Sequence, residues 1–176
     1  MRVPYLLLKE VPRYECLQAA AARVPGANAA ICEVFLNILH TGDVASRGEA
    51  DFLARHGLNQ ARLVVLLLLD SSENGSMRSS ELAEHASVSR ATVTGLLDTL
   101  ERAGLVGRAP DLQDRRASCV KITEKGKTLL HSVEPLLFQW TESVLGGLSA
   151  REQGQLVTLL RKTQRAFSEH RTGFRQ

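Results

Sequence analysis

The stretch SVSRATVTGLLDTLERAGLV, residues 87–106, constrains this chain more than any other. Val93, Leu96, Leu97 and Leu100 recur at three- and four-residue spacing, which makes one side of an α-helix apolar. Ser89 stands where an N-cap belongs, and Gly104 where a helix stops. The other side opens with Arg90, Ala91, Thr92 and Thr94, a single cation among small and polar groups. Upstream, residues 79–85 read as a short helix, and only SVS separates the two, with Val88 expected to be buried between them. Downstream, residues 105–108 and 118–123 read as two short strands, the second with Val120 and Ile122 on one side and Cys119 and Lys121 on the other. The polar loop APDLQDRRA joins them.

The rest of the chain reads as helix. Pro12 opens a helix that RYECLQAAAARV continues to a turn at Pro25 and Gly26. A second helix is expected over 28–40, with Ile31, Phe35, Leu36 and Leu39 on one side; TGD interrupts it, and 45–56 resumes it until Gly57. Asn59 caps a third, whose LVVLLLL run is expected to be buried on nearly all sides. DSSENGS, residues 70–76, is a loop. Thr123 is expected to cap a long helix carrying Leu130, Val133, Leu137, Trp140 and Val144. Pro135 lies inside it, where proline costs about 3 kcal/mol or kinks the helix. SARE, residues 149–152, is a capping box that starts a last helix with Leu156, Leu159, Leu160 and Phe167 on one face.

Helix, tight turn, helix and hairpin is the order of a winged helix-turn-helix. Its second helix can lie in a DNA major groove with the first turn toward base edges. There Arg90 can pair with guanine, Thr92 and Thr94 can bond bases or phosphates, Ala91 can touch a thymine methyl, and Ser89 at the helix start is a further DNA-binding candidate. The total charge adds little to this reading: 22 basic and 19 acidic residues leave +3, and residues 77–128 carry +2. Placement of charge must therefore matter more than its total.

The segment SSELAEHASVSRATVTGLLDTLERAGLVGRAPDLQDRRASCVKITEKG, residues 79–126, resembles the MarR family of bacterial transcription regulators, above all in DRR followed across a strand by ITEKG. The resemblance extends from about Asn28 to Phe167, and the N-terminal EVPRYE is similar to a subgroup with an extra helix. It implies a mainly α fold: a winged helix-turn-helix with a small two- or three-stranded β wing and an α-helical dimerisation region. Residues 1–58 and 129–176 would then be dimerisation helices and 59–128 the DNA-binding domain. It also implies a wing arginine that enters the minor groove, Arg116, with Asp114 holding it and Arg115 beside it. It implies as well a homodimer on double-stranded DNA, and a small-molecule effector pocket for which Phe35 and Trp140 are candidates, the other reading of both being core or dimer interface. One departure stands out: many relatives carry a basic residue where this chain has Gly95, so either a phosphate contact is lost or the backbone packs closely there.

Other classes find less support. The longest apolar run, residues 63–69, is far short of a membrane span, and no small-residue cleavage site follows the N-terminal apolar patch. Cys16, Cys32 and Cys119 form an odd set without close pairing, which fits a reducing cytoplasm. The five histidines show no metal-ligand spacing, and no phosphate loop or catalytic constellation is present, so neither cofactor nor enzymatic activity is expected. Cys32 sits among Ala29, Ala30, Ile31, Val34 and Phe35, and is expected to be a buried apolar residue; the alternative is a redox sensor. A second alternative is a protein–protein adaptor without DNA binding, which would not need an arginine-bearing wing.

Overall fold

The computed structural model describes residues 14–72, 74–86, 88–110 and 118–173. Its elements run α1 (Tyr14–Ala21), α2 (Ala29–Arg55), α3 (Gln60–Ser71), β1 (Ser76–Arg78), α4 (Ser79–His85), α5 (Arg90–Arg102), β2 (Val106–Pro110), β3 (Ser118–Ile122), α6 (Glu124–Leu145) and α7 (Ala150–Gly173). They form two compact units, the first ending at Thr123 and the second starting at Glu124. Pro12, expected to open the first helix, lies outside the described residues.

In the first unit α3 is the hub, packing against α2, α4, α5, β1 and β3. Asn59 caps it as expected, its side-chain oxygen accepting from the Arg62 N–H at 2.9 Å. Leu63, Val65, Leu66 and Leu69 are buried, which explains most of the continuous apolar run. Burial is not all-round, however: Leu67 remains 37% exposed, because neighbours cover only part of the helix circumference. Leu53, Leu82, Val93, Leu97, Leu100, Val120 and Ile122 complete the core. Burying each such side chain contributes about 1.5–3 kcal/mol.

α2 corrects an expectation. It is one helix over Ala29–Arg55, with no break at TGD. A helical glycine costs only about 1 kcal/mol relative to alanine, too little to end a helix. The Asp43–Arg47 pair, one turn apart at 2.7 Å, bridges the same place. The helix does stop at Gly57, which has φ +70°. The Leu58 N–H bonds the Leu53 carbonyl at 3.0 Å and the Gly57 N–H that of Ala54 at 3.1 Å, a Schellman ending.

The sheet has three antiparallel strands in the order β1-β3-β2. β3 is central, with Val120 facing Met77 on one side and Arg108 on the other. Val120 and Ile122 point into the core, Lys121 is exposed and Cys119 is half-buried, as the alternation predicts. The Thr123 hydroxyl donates back to the carbonyls of Gly104 at 2.8 Å and Leu105 at 3.1 Å, tying the end of the sheet to the end of α5.

In the second unit α6 buries Gly126, Leu130 and Val133 and runs through Pro135 without ending. α7 begins at the predicted capping box. The Glu152 carboxylate accepts from the Ser149 N–H at 2.8 Å, and the Glu152 N–H donates to the Ser149 hydroxyl at 3.4 Å. Leu156, Leu159, Leu160 and Phe167 of α7 are all exposed, as are Phe138 and Val144 of α6. No single described helix is long and apolar enough to cross a membrane.

Candidate nucleic-acid interface

α4, the turn and α5 stand as the sequence arranges them. The Ser89 hydroxyl caps α5, accepting from the Thr92 N–H at 3.1 Å. Gly104 ends it with φ +71°, while the Leu105 N–H bonds the Leu100 carbonyl at 2.9 Å. Val93, Leu97 and Leu100 are buried, so the helix is fixed in rotation about its own axis. Ser89, Arg90, Ala91, Thr92, Thr94 and Gly95 are all exposed. The structure thus gathers five candidate side chains, Ser89 through Thr94, on the first turns of one firmly held helix.

Their hydroxyls already have partners. Ser89 Oγ lies 2.7 Å from Thr92 Oγ1, and the Thr94 hydroxyl donates to the Arg90 carbonyl at 2.9 Å. Arg90 also lines a shallow groove with Ser80, Glu81, Ala83, Glu84 and Val88, between α4 and the start of α5. Val88 corrects an expectation: it is 38% exposed, not buried. Its N–H bonds the Ala83 carbonyl at 3.1 Å, so the turn is held through backbone and its side chain stays at the rim. Gly95 settles one of two sequence readings. A Cβ there would meet no atom within 4 Å, so close packing is not the reason for glycine.

One feature of the site escaped the sequence reading. Arg108 of β2 reaches the carboxylates of two α5 residues, bonding Asp98 and lying 3.6 Å from Glu101. This half-exposed clamp adds little stability, but it joins the wing strand to α5. Only the register of β2 against α5 creates it, so no local signal marks it.

The other candidates fall apart from this group. Asp114, Arg115 and Arg116 lie outside the described residues. Phe35 is on α2 in the first unit, and Trp140 is on α6 in the second. Cys32 corrects another expectation: it is exposed, because the apolar residues around it in α2, Ile31, Val34 and Phe35, face outward with it. Among the described residues no three or more His, Cys, Asp or Glu side chains gather as a metal site would need.

A helix-turn-helix followed by an antiparallel wing is matched by a known family profile, described as the MarR family, over residues 58–118. Over those residues the chain is similar to the MarR family. The matched stretch runs from just after α2 to the first residue of β3 and so includes α5 whole. The chain is 29% identical over 153 residues to the HTH-type transcriptional repressor YetL of Bacillus subtilis, covering 87% of this chain and 92% of that protein. Among solved structures, the MarR-family regulator AbsC of Streptomyces coelicolor aligns over 84% of this chain and 97% of its own, with TM-score 0.71 and 25% identity. A mutant MarR of E. coli, crystallised with operator DNA, aligns over 72% of this chain and 91% of its own, with TM-score 0.63 and 26% identity. The three-stranded winged helix within a mostly helical chain is the fold of these MarR-family relatives.

Proposed function

We propose that this chain is a sequence-specific DNA-binding repressor of transcription that acts as a homodimer. One observation carries the reading: α5 buries one face completely and presents Arg90, Ala91 and Thr94 on an exposed first turn. That is the arrangement a helix needs to enter a major groove without shifting in its own lobe. The helix N-terminus also favours a nearby phosphate. The relative named as a repressor, and the one crystallised with operator DNA, support the same reading.

In this account residues 59–128 bind DNA and the helices of 1–58 and 129–176 join two copies. The exposed apolar lines of α2, α6 and α7 supply the surface such a junction requires. The resemblance assigns Arg116 to the minor groove, with Asp114 and Arg115 just before it in sequence. A small-molecule effector changes the spacing of the two recognition helices, and it acts only if it binds one spacing better than the other. Incubating the protein with a pool of randomised duplexes and sequencing what is retained tests the reading. Two inverted half-sites about one helical turn apart are expected, on the order of 34–36 Å. An unenriched pool overturns it.

The exposure of Cys32 favours a second reading, release of DNA by thiol oxidation. Peroxide-dependent release that Cys32→Ser abolishes would establish it, and release that survives the substitution would dismiss it.

A further inference from the structure

Gly95 sits in the interior of α5, where glycine costs about 1 kcal/mol relative to alanine. Nothing in the fold asks for it: it needs no positive φ, and a Cβ would meet no atom within 4 Å. At 3.6 residues per turn it lies opposite the buried line of Val93, Leu97 and Leu100, on the outward side with Ala91 and next to Thr94. The Thr94 hydroxyl ends one atom beyond Cβ, so it meets a base edge only if the backbone beside it comes close to the groove floor. A side chain at position 95 would take up space on this outward side, and glycine leaves that space empty. Thr94 is also polarised in one sense: its proton is given to the Arg90 carbonyl at 2.9 Å, which leaves lone pairs to accept.

We propose that Gly95 is a specificity-determining residue whose missing side chain lets α5 sit deep enough for the Thr94 hydroxyl to accept from an exocyclic amino group of adenine or cytosine in the major groove. The proposal rests on the reading of α5 as the recognition helix, and it assigns Gly95 a role in depth and Thr94 a role in acceptance. The two residues must then be coupled: once the helix is held off, Thr94 has nothing to lose.

The test uses the full chain and the duplex that the wild type retains from a randomised pool, with Gly95→Ala, Gly95→Leu, Thr94→Val and the Gly95→Leu/Thr94→Val double variant. Gly95→Ala should raise Tm by about 2–4 °C, since helix propensity improves, yet weaken binding. Gly95→Leu should weaken it further. Thr94→Val should lower affinity on the order of tenfold in the wild-type background and change it little in the Gly95→Leu background. Equal affinity and preference in Gly95→Leu, with the wild type still selecting a site, would overturn this inference and leave DNA binding standing. Failure of the wild type to select any duplex would remove both.

Discussion

The Ser89 hydroxyl accepts from the Thr92 N–H and at the same time sits 2.7 Å from the Thr92 hydroxyl. One contact thus closes the first turn of α5 twice, through backbone and through side chain. Losing an N-cap of this kind costs roughly 0.5–2 kcal/mol. Ser89→Ala should lower stability by that amount in urea unfolding, and Ser89→Asp, which keeps the acceptor, should recover most of it. Equal loss in both variants would show that the cap is not what Ser89 contributes.

Rotation of α5 is fixed by its buried line, and Leu97 lies at the centre of that line with 1% exposure. Leu97→Ala leaves a cavity beneath α5 and should cost about 2–5 kcal/mol. A change below about 1 kcal/mol would mean that the site collapses around the smaller residue.

The pattern of the helix-turn-helix was legible because its signals are local: Ser89, Gly104 and the stripe between them all lie within two turns of what they control. Asn59 and the Ser149–Glu152 box were legible for the same reason. β1 was not. It has three residues, and the strand it pairs with, β3, is far along the chain, so no periodicity announces it. The continuity of α2 was missed because Gly42 reads as a breaker, whereas its cost is small beside a long helix with an Asp43–Arg47 pair. Cys32 has apolar neighbours in sequence, which suggests burial, and Val88 sits in a turn tight enough to suggest it, yet both are exposed. In α2 those neighbours themselves face outward, which a single sequence cannot distinguish from a core.

α7 also has an outward apolar face. Leu156, Leu159, Leu160 and Phe167 form an exposed apolar line on α7. Light scattering of the full chain at micromolar concentration should give a dimer. Leu159→Glu should shift it toward monomer with the helical signal retained. A monomeric wild type that still binds its operator tightly would exclude the homodimer.

The cap of α7 gives a pH dependence. The Ser149 hydroxyl, and then its backbone N–H, hold the Glu152 carboxyl below its ordinary value of 4.5. A group lowered on folding stabilises the native state above its unfolded pKa and ceases to do so as pH falls through the folded one. Wild type should therefore exceed Glu152→Gln in unfolding midpoint near neutral pH, with the gap closing below about 4.5. A gap unchanged down to acid pH would show that the charged form is not what the box stabilises.

The central claim is that the first turn of α5 reads base edges while the wing holds the duplex. Arg90 and Arg116 carry the same charge, so binding across single-base operator variants at two salt concentrations separates their roles. Arg90→Ala should cost roughly 1–3 kcal/mol per half-site and relax preference at one base pair. Arg116→Ala should weaken binding to most sequences alike and lower the salt slope by about one per site. Full sequence preference in Arg90→Ala, with preference abolished in Arg116→Ala, would contradict the account and make the wing the reader.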